Sequence, residues 1–308
     1  MLPFARVAIL GLGLIGSSIA RGVRAAMPGV ALTGHDVDAE VREVARALRL
    51  VDDVSDTPGA AVIDADLVIL CVPVGAIPAA AAAIADDLPI DAVISDVGSS
   101  KAGVARALRA ALPGRPVVPA HPVAGTERSG PDAGFASLFR GRWCILTPDA
   151  DTDPLSVERV AEFWRRLGAQ VERMDAEHHD RVLAITSHLP HLIAYTIVGT
   201  ASDLEAVTET EVIKYSAGGF RDFTRIAASD PTMWRDVFLA NKDAVLEMLQ
   251  RFSEDLSALQ RAIRWDKGDE LFDLFARTRA IRRSIVEQGQ DDARADFGRA
   301  HEGDGERG

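Results

Sequence analysis

The sequence predicts an α/β domain with a parallel sheet, followed by an all-α domain. In the first half of the 308-residue chain, short apolar runs alternate with stretches of helical periodicity. After about residue 175, apolar residues recur almost entirely at helical spacing. Short apolar strands separated by helices are typical of a parallel sheet covered on both faces. We therefore place an α/β domain at 1–174 and an all-α domain at 175–288. The tail at 289–308, rich in Gly and charged residues, is expected to be mostly disordered.

Seven apolar runs are predicted strands, and Ala-, Arg- and Leu-rich stretches between them are predicted helices. The strands are Arg6–Leu10, Val30–Asp36, Ala65–Val72, Ala92–Asp96, Pro116–Pro119, Arg142–Thr147 and Gln170–Met174. The helices of the first half are Ser17–Ala26, Ala39–Leu48, Ala76–Leu88 and Lys101–Leu112. Those of the second half are Ala176–Ser202, Pro231–Trp265 and Asp269–Glu287.

Composition argues against several classes of partner. The formal net charge is −12 and no basic stripe occurs, so neither nucleic acid nor an anionic membrane surface is expected. No apolar run reaches the ~18 residues of a membrane helix. The N-terminal residues lead straight into a strand, so we expect no targeting peptide and a cytoplasmic location. Cys71 and Cys144 lie in predicted strands as small apolar residues, and no metal-ligand spacing is present.

The first strand ends in a G-x-G-x-x-G turn that opens a helix, as in a Rossmann-type dinucleotide-binding domain. The turn reads Gly11-Leu12-Gly13-Leu14-Ile15-Gly16. Gly11 permits a tight turn, Gly13 lets the backbone approach a pyrophosphate, and Gly16 allows close packing of the helix on the sheet. The helix N-terminus adds a partial positive charge for the phosphates. The alternative is a glycine-rich turn without a ligand, which this strand–turn–helix context disfavours.

The second predicted strand ends in Asp36, 20 residues after Gly16. A carboxylate there can accept both ribose hydroxyls of NAD and would repel the 2′-phosphate of NADP. No Arg follows directly, so we expect NAD as the cofactor; a plain turn residue is the alternative. Val72 and Pro73, at the end of the third predicted strand, would border the adenine side and the nicotinamide entrance.

His121 stands directly after a short predicted strand and before a proline, which keeps it out of a helix. Open α/β sheets bind ligands at the carboxyl ends of their strands. An imidazole beside a nicotinamide could accept a hydroxyl proton while hydride leaves. An isolated histidine with a structural role is the alternative. With the cofactor turn, the pattern predicts an NAD-dependent dehydrogenase.

Six segments, in the same order, resemble the prephenate/arogenate dehydrogenase family, which includes the cyclohexadienyl dehydrogenases. They are Gly11-Leu-Gly-Leu-Ile-Gly-Ser17, Asp96-Val-Gly-Ser-Ser-Lys101, His121-Pro-Val-Ala-Gly-Thr-Glu-Arg-Ser-Gly130, Ser187-His-Leu-Pro-His191, Gly218-Gly-Phe-Arg-Asp-Phe-Thr-Arg-Ile226 and Ser229-Asp-Pro-Thr-Met-Trp-Arg-Asp236. The resemblance covers about residues 5–285. It implies oxidative decarboxylation of prephenate and/or arogenate with NAD, giving 4-hydroxyphenylpyruvate and/or tyrosine in tyrosine biosynthesis.

The resemblance also implies roles for particular residues. His121 would accept the proton of the ring hydroxyl, and Ser99 would hydrogen-bond that hydroxyl or the imidazole. Hydride would pass to the nicotinamide, and the ring carboxylate would leave as carbon dioxide. Arg225, with its planar guanidinium, would bind a substrate carboxylate. A helix-surface arginine is the alternative for Arg225.

His188 and His191 lie at i and i+3 on one face of an apolar predicted helix, and both are candidates for the substrate pocket. His191 is expected to contact the substrate and His188 to have a structural or gating role. Pro190 between them is expected to kink the helix. Three further candidates are Thr126 and Glu127 at the pocket mouth and Trp234 beside the substrate. Their alternatives are a solvated loop and a core or interface tryptophan.

The resemblance implies a homodimer formed through the helical domain, which carries more apolar surface than a small bundle needs. Two other functions remain open. One is a β-hydroxyacid dehydrogenase or imine reductase of similar architecture, which would use a lysine or an acid of the helical domain. Lys214 and Lys242 are present there, but neither lies in a pattern favoured over His121. The other is a non-catalytic NAD-sensing protein.

Overall fold

The computed structural model describes residues 2–126, 128–203 and 218–287. The chain divides into two compact units, Met1–Leu246 and Glu247–Gly308. The predicted positions of Glu127, of Lys214 and of the tail at 289–308 lie outside the described residues.

In its described residues, the first unit contains two sheets. Strands β1 (Arg6–Leu10), β2 (Ala31–His35), β3 (Asp53–Val54), β4 (Leu67–Leu70) and β5 (Val93–Asp96) form a parallel sheet in the order β3-β2-β1-β4-β5. Strands β6 (Ala120–Pro122), β7 (Trp143–Leu146) and β8 (Gln170–Arg173) form a second sheet in the order β6-β7-β8. Strand β6 is antiparallel to β7, and β7 is parallel to β8.

The predicted strand Pro116–Pro119 is wrong in its bounds. Only a single parallel bridge joins Val117 to Ile94 of β5, and the regular strand starts at Ala120. Pro116 and Pro119 lack an N–H group, so they cannot donate to a continuous ladder. His121 therefore lies within a strand, opposite Ile145, and not after one.

The helices of the α/β part follow the strands. They are α1 (Leu14–Ala26), α2 (Ala39–Ala47), α3 (Pro58–Val62), α4 (Ile77–Ala82), α5 (Ala102–Ala111) and α6 (Pro154–Arg166). The parallel sheet is covered on both faces, as predicted. Ile9 of β1 packs into a core that includes Trp164 of α6. The next residue, Leu10, points to the opposite face and packs into a core that includes Leu108 of α5.

The part after β8 is helical in the described residues. Its helices are α7 (Ala176–Leu183), α8 (Leu189–Asp203), α9 (Gly218–Thr224), α10 (Pro231–Ala240), α11 (Lys242–Arg264) and α12 (Gly268–Glu287). The predicted helix Pro231–Trp265 is thus two helices, which meet at Asn241. Helix α7 begins where the Asp175 carboxylate accepts hydrogen bonds from the N–H groups of Glu177 and His178, both at 2.9 Å.

A π turn, Ala184–His188, separates α7 from α8. The N–H of Leu189 donates to the carbonyl of Ala184, five residues back. Pro190 is the second residue of α8, which follows this π turn directly. The irregularity expected at Pro190 therefore lies just before it. Turns of this kind are frequent at functional sites.

The expectation that no apolar segment reaches membrane-spanning length is wrong for one segment. From Val182 to Ser202 the sequence contains no Asp, Glu, Lys or Arg. In the described part of the chain, Ala176–Asp203 is long and apolar enough to cross a membrane, by length and composition alone. One such helix is weak support for a membrane span, because the core helix of a soluble protein can have the same length and composition. Only 28% of its most apolar window is buried within the chain.

Candidate active site

The glycine turn between β1 and α1 is built to hold a phosphate-bearing cofactor. Gly11 has φ +97°, and a Cβ there would overlap the carbonyl oxygen of Cys71. A Cβ at Gly16 would overlap the carbonyl oxygen of Gly11. A Cβ at Gly13 would instead meet nothing within 4 Å. The backbone at Gly13 is therefore open to a ligand. Helix α1 begins at Leu14, three residues earlier than predicted, so Leu14 and Ile15 belong to its first turn.

Asp36 connects the end of β2 to this turn. One carboxylate oxygen accepts the N–H of Leu12 at 2.8 Å, and the other accepts the N–H of Asp38 at 3.0 Å. A carboxylate has about four acceptor positions, so capacity remains for ribose hydroxyls. Arg42, which the sequence analysis did not single out, donates to the backbone carbonyls of Asp36 and Val37 at 2.7 and 3.1 Å. In the sequence, the position of Arg42 six residues after Asp36 was the signal that could have indicated this contact.

Val72 and Pro73 follow β4, which is the neighbour of β1 in the sheet. Val72 is half-buried, and its side chain lies beside Gly11. Pro73 is exposed and caps a short 3-10 turn, Val74–Ala76. Both residues are therefore at the same edge of the sheet as the glycine turn.

The loop after β6 packs on α1. The N–H of Phe135 donates to the Ser18 hydroxyl at 3.1 Å, and Arg21 donates to the carbonyl of Pro131 at 3.0 Å. The strand that carries His121 is thus connected to the helix that starts at the glycine turn. Thr126 is an exposed residue of this loop, and its hydroxyl accepts the N–H of Arg128 at 3.2 Å.

His121 is buried and belongs to a chain of three hydrogen-bonded side chains. Its Nδ1 lies 2.8 Å from Nε2 of His179 on α7. Nδ1 of His179 lies 2.9 Å from the carboxylate of Asp180. That carboxylate also accepts the N–H groups of Lys101 and Ala102, at 2.7 and 2.9 Å, where α5 begins. Sequence reasoning missed His179 and Asp180; a run of polar residues at the start of an apolar helix was the signal.

A buried ion pair holds the backbone next to His121. The side chains of Lys101 and Asp96 are fully buried and form a short salt bridge. Lys101 Nζ also donates to the carbonyl of Ala120 at 2.8 Å, and Asp96 accepts the Ala120 N–H at 3.3 Å. Both backbone groups of the residue before His121 are thereby fixed. Both charged residues belong to the Asp96–Lys101 segment, but no role was predicted for either.

The electrostatics keep His121 neutral. Burial lowers the pKa of its imidazole well below the usual range, and the nearby His179, Lys101 and His188 lower it further. Burial also lowers the pKa of His179, against the opposing effect of Asp180. Burial would raise the pKa of Asp180, but its hydrogen bonds outweigh that effect and the pKa is lowered. The site thus contains an ionised Asp180 and two neutral imidazoles.

Ser99 is half-buried in the turn between β5 and α5. Among the described residues, no hydrogen bond joins its hydroxyl to the imidazole of His121, whose Nδ1 is bound to His179. Of the two contacts predicted for Ser99, the one with the substrate hydroxyl stays a prediction. Its backbone carbonyl lies beside the His188 ring.

His188 is fully buried on the π turn. Its Nδ1 lies 3.1 Å from the amide nitrogen of Asn241, which also donates to the backbone carbonyl of Asp180 at 2.8 Å. Burial lowers the pKa of His188 to about 4. These contacts favour the structural role for His188, because they connect α7 to the junction of α10 and α11.

His191 stacks on Trp234, with ring centroids 3.6 Å apart and planes at 24°. Its Nδ1 is 2.9 Å from the carbonyl of Ser187. Burial lowers the pKa of His191, and the positive charge of Arg225 nearby adds to the effect. Arg225 opens a 3-10 turn, Arg225–Ala228, and Tyr195 of α8 donates to the carbonyl of Ser229 just after it, at 2.9 Å. The fold thus brings His191, Trp234 and Arg225 together.

A nucleotide-binding turn combined with a buried neutral imidazole suits a dehydrogenase, which removes a proton and a hydride from an alcohol. Comparison with known proteins identifies the family to which the chain belongs. Residues 19–173 match the nucleotide-binding domain of prephenate dehydrogenase, and residues 175–277 match its dimerization domain. The chain belongs to the prephenate dehydrogenase family, which confirms the predicted resemblance, the fold class and NAD as the cofactor.

Individual relatives match over almost the whole chain. A cyclohexadienyl dehydrogenase of Zymomonas mobilis is 47% identical over 285 residues, which are 92% of this chain and 97% of that protein. The crystal structure of a prephenate dehydrogenase from A. aeolicus with hydroxyphenyl propionate and NAD+ has a TM-score of 0.85 at 34% identity, covering 92% of this chain and 98% of that one. A Synechocystis arogenate dehydrogenase has a TM-score of 0.76 at 26% identity, covering 91% and 99%.

Proposed function

We propose that this enzyme catalyses the oxidative decarboxylation of prephenate and/or arogenate with NAD, giving 4-hydroxyphenylpyruvate and/or tyrosine. The observation that carries the proposal is the similarity to a cyclohexadienyl dehydrogenase over 92% of this chain. Solved relatives named as prephenate and as arogenate dehydrogenases support activity with either side chain.

The proposed base is His121. Bound NAD supplies the hydride acceptor. His121, neutral and buried, takes the proton of the ring hydroxyl as the hydride leaves the same carbon, which becomes a carbonyl. The C–C bond to the ring carboxylate then breaks and carbon dioxide leaves. The electron pair of that bond moves through the ring to the carbonyl oxygen, which takes up a proton, so that the ring becomes an aromatic phenol. Ser99, just after β5, is proposed to hydrogen-bond the hydroxyl.

The proposed carboxylate site is formed by Arg225 and His191. The substrate carries two carboxylates, whereas the protein has a formal net charge of −12, so local cationic donors must offset the repulsion. A guanidinium offers a two-pronged hydrogen bond to a carboxylate. The stacking of His191 on Trp234 fixes the imidazole plane, so it can present a defined hydrogen-bonding edge. Thr126 and Glu127 are proposed at the pocket mouth and His188 as its buried support.

The proposed cofactor residues are those of the glycine turn and its neighbours. The backbone of the turn would hold the pyrophosphate, where Gly13 leaves open space. Asp36 would accept the ribose hydroxyls with its remaining acceptor positions. Leu12 would be held in place by its N–H bond to Asp36, and Val72 and Pro73 would border the cofactor.

The test is the absorbance at 340 nm with NAD and either prephenate or arogenate, at equal concentrations near neutral pH. Reduction with one or both would support the reaction and identify the accepted side chain. No reduction with either, from protein that binds NAD, would overturn the proposal. His121→Asn should bind NAD normally and lose about 10²–10⁴-fold in turnover. Near-normal turnover in that variant would remove His121 from its role.

The alternatives are weaker. A β-hydroxyacid dehydrogenase or imine reductase would carry its proton donor on a lysine or an acid of the helical domain. Lys242 opens α11, and no described contact connects it with His121. A non-catalytic NAD-sensing protein would have no need of the buried His121, His179 and Asp180 chain.

We also propose a homodimer through a helical domain at 175–288, and a cytoplasmic location. The matched C-terminal family model is a dimerization domain. Large apolar side chains of the helical part are exposed in the single chain, among them Ile197, Val198, Leu239, Ile263, Trp265, Phe272 and Phe275. Covering them in a partner subunit would account for the apolar Ala176–Asp203 segment without a membrane. A monomer at working concentration in sedimentation would contradict the dimer.

A further inference from the structure

The side chains behind His121 assign its tautomer. Asp180 accepts two backbone N–H groups, at 2.7 and 2.9 Å, at the start of α5, and its lowered pKa means that the carboxylate is ionised. An ionised carboxylate only accepts hydrogen bonds. The 2.9 Å contact with His179 Nδ1 therefore requires a proton on that nitrogen.

The proton on Nδ1 of His179 determines the proton position on His121. His179 is buried and its pKa is lowered, so its ring carries one proton only. With that proton on Nδ1, its Nε2 is an acceptor. Nδ1 of His121, 2.8 Å away, must then be the donor. The remaining nitrogen of His121, Nε2, has a free lone pair.

We propose that His179, oriented by Asp180, is a positioning residue that holds His121 with its proton on Nδ1 and leaves Nε2 as the atom that receives the substrate's proton. This inference rests on the proposed role of His121 as the base. It also gives His179 a second effect: the hydrogen bond from His121 strengthens as the ring becomes positively charged, because charge-assisted hydrogen bonds are the stronger kind. Neither His179 nor Asp180 needs to touch the substrate.

Three variants separate positioning from mere packing. His179→Leu removes the acceptor, whereas His179→Gln can still place an oxygen near the former Nε2. His178→Leu is the matched control, because His178 is the preceding residue of α7 and its side chain is exposed. We expect His179→Leu to lower kcat by about 10²-fold or more, toward the ~10⁴-fold seen when a base is held in the wrong tautomer. The KM for NAD should stay unchanged, the Gln variant should recover most of kcat, and the control should match the parent.

A double-mutant cycle tests whether His179 acts through His121. In the His121→Asn background, His179→Leu should cost nothing further, since there is no longer an imidazole to orient. Fully additive losses would overturn the inference. Normal kcat in folded His179→Leu would overturn it as well.

Nitrogen-15 NMR of histidine-labelled enzyme tests the tautomer in the parent protein, without any substitution. The expected signature of His121 is a protonated Nδ1 and an unprotonated Nε2; the opposite tautomer would refute the inference. This measurement remains decisive if His179→Leu does not fold. Full turnover by His121→Asn would overturn both the role of His121 and this inference, while NADH formation would still establish the reaction.

Discussion

Replacing Lys101 by Met should destabilise the fold strongly and displace His121. Lys101 and Asp96 are fully buried, and Lys101 Nζ also holds the carbonyl of Ala120 at 2.8 Å. Met fills a similar volume but has neither the charge nor the donors. The substitution would leave a buried Asp96 carboxylate without its counter-ion and would release the backbone next to the base.

The expected cost is large because one partner of a buried pair is removed. Breaking such a pair typically costs about 3–5 kcal/mol. With roughly 2–4 °C of Tm per kcal/mol for a chain of this order of size, Tm should fall by about 6–20 °C. The matched control is Lys267→Met. Lys267 pairs with Glu270 at 2.6 Å, but their side chains are 47% and 62% exposed, so the loss should be within about 1 kcal/mol.

Thermal unfolding followed by circular dichroism measures the loss of stability in Lys101→Met. The value of kcat at saturating substrates measures the displacement of His121. Adding Asp96→Asn to Lys101→Met should recover part of the stability, because the uncompensated charge is gone while an amide oxygen can still accept N–H groups. If Lys101→Met and Lys267→Met had the same small effect on Tm, the buried Lys101–Asp96 pair would not stabilise the fold.

Three further predictions concern the cofactor, the substrate and pH. Asp36→Ser should raise the KM for NAD by about 10- to 100-fold, since hydrogen bonds to a charged group contribute roughly 1.5–3 kcal/mol. Initial rates with NAD and NADP measure this change. An unchanged KM for NAD would mean that Asp36 does not bind the ribose hydroxyls. Arg225→Ala should raise the substrate KM by a similar factor, with a smaller change in kcat; an unaltered substrate KM would remove Arg225 from the carboxylate site. Burial lowers the pKa of His188 from 6.5 to about 4, so the unfolded chain binds more protons between these values and stability is lost as pH falls through that window. His188 alone should contribute about 3 kcal/mol of the loss between pH 7.5 and pH 4, on top of the losses from the other buried histidines. Urea unfolding of the parent and of His188→Asn at both pH values measures this difference, and an equal pH dependence in the two proteins would contradict the assignment.

The glycine turn and Asp36 could be predicted because they form a sequence motif with a fixed spacing, a strand–turn–helix followed by an acid at the end of the next strand. The contacts of Gly11 with Cys71 and of Asp36 with Leu12 join distant parts of the chain, but the motif itself implies both places. The strands β1 and β4 were predicted because a strand that is buried on both faces reads as a nearly continuous apolar run. Their observed bounds lie within the predicted ones.

The support of His121 could not be predicted from spacing. His179 is 58 residues from His121, and Lys101 is 79 residues from Asp180. Their contacts depend on how α7 packs against β6 and the start of α5, which no periodicity encodes. Lys101 was missed for a second reason, because lysine is ordinarily a surface residue and is fully buried only when paired.

The proposed catalytic group is built from both family domains. The proposed base is on β6, within the 19–173 match, whereas its proposed orienting partners His179 and Asp180 are on α7, within the 175–277 match. Asp180 in turn accepts N–H groups from Lys101 and Ala102, in the first match, and its carbonyl binds Asn241, in the second. The hydrogen bonds of His179 and Asp180 with His121, Lys101 and Ala102 therefore cross the boundary between the two matches. The glycine turn and Asp36 lie entirely on the N-terminal side, so cofactor binding can be local to that part, while the proposed control of the base would depend on the helical part.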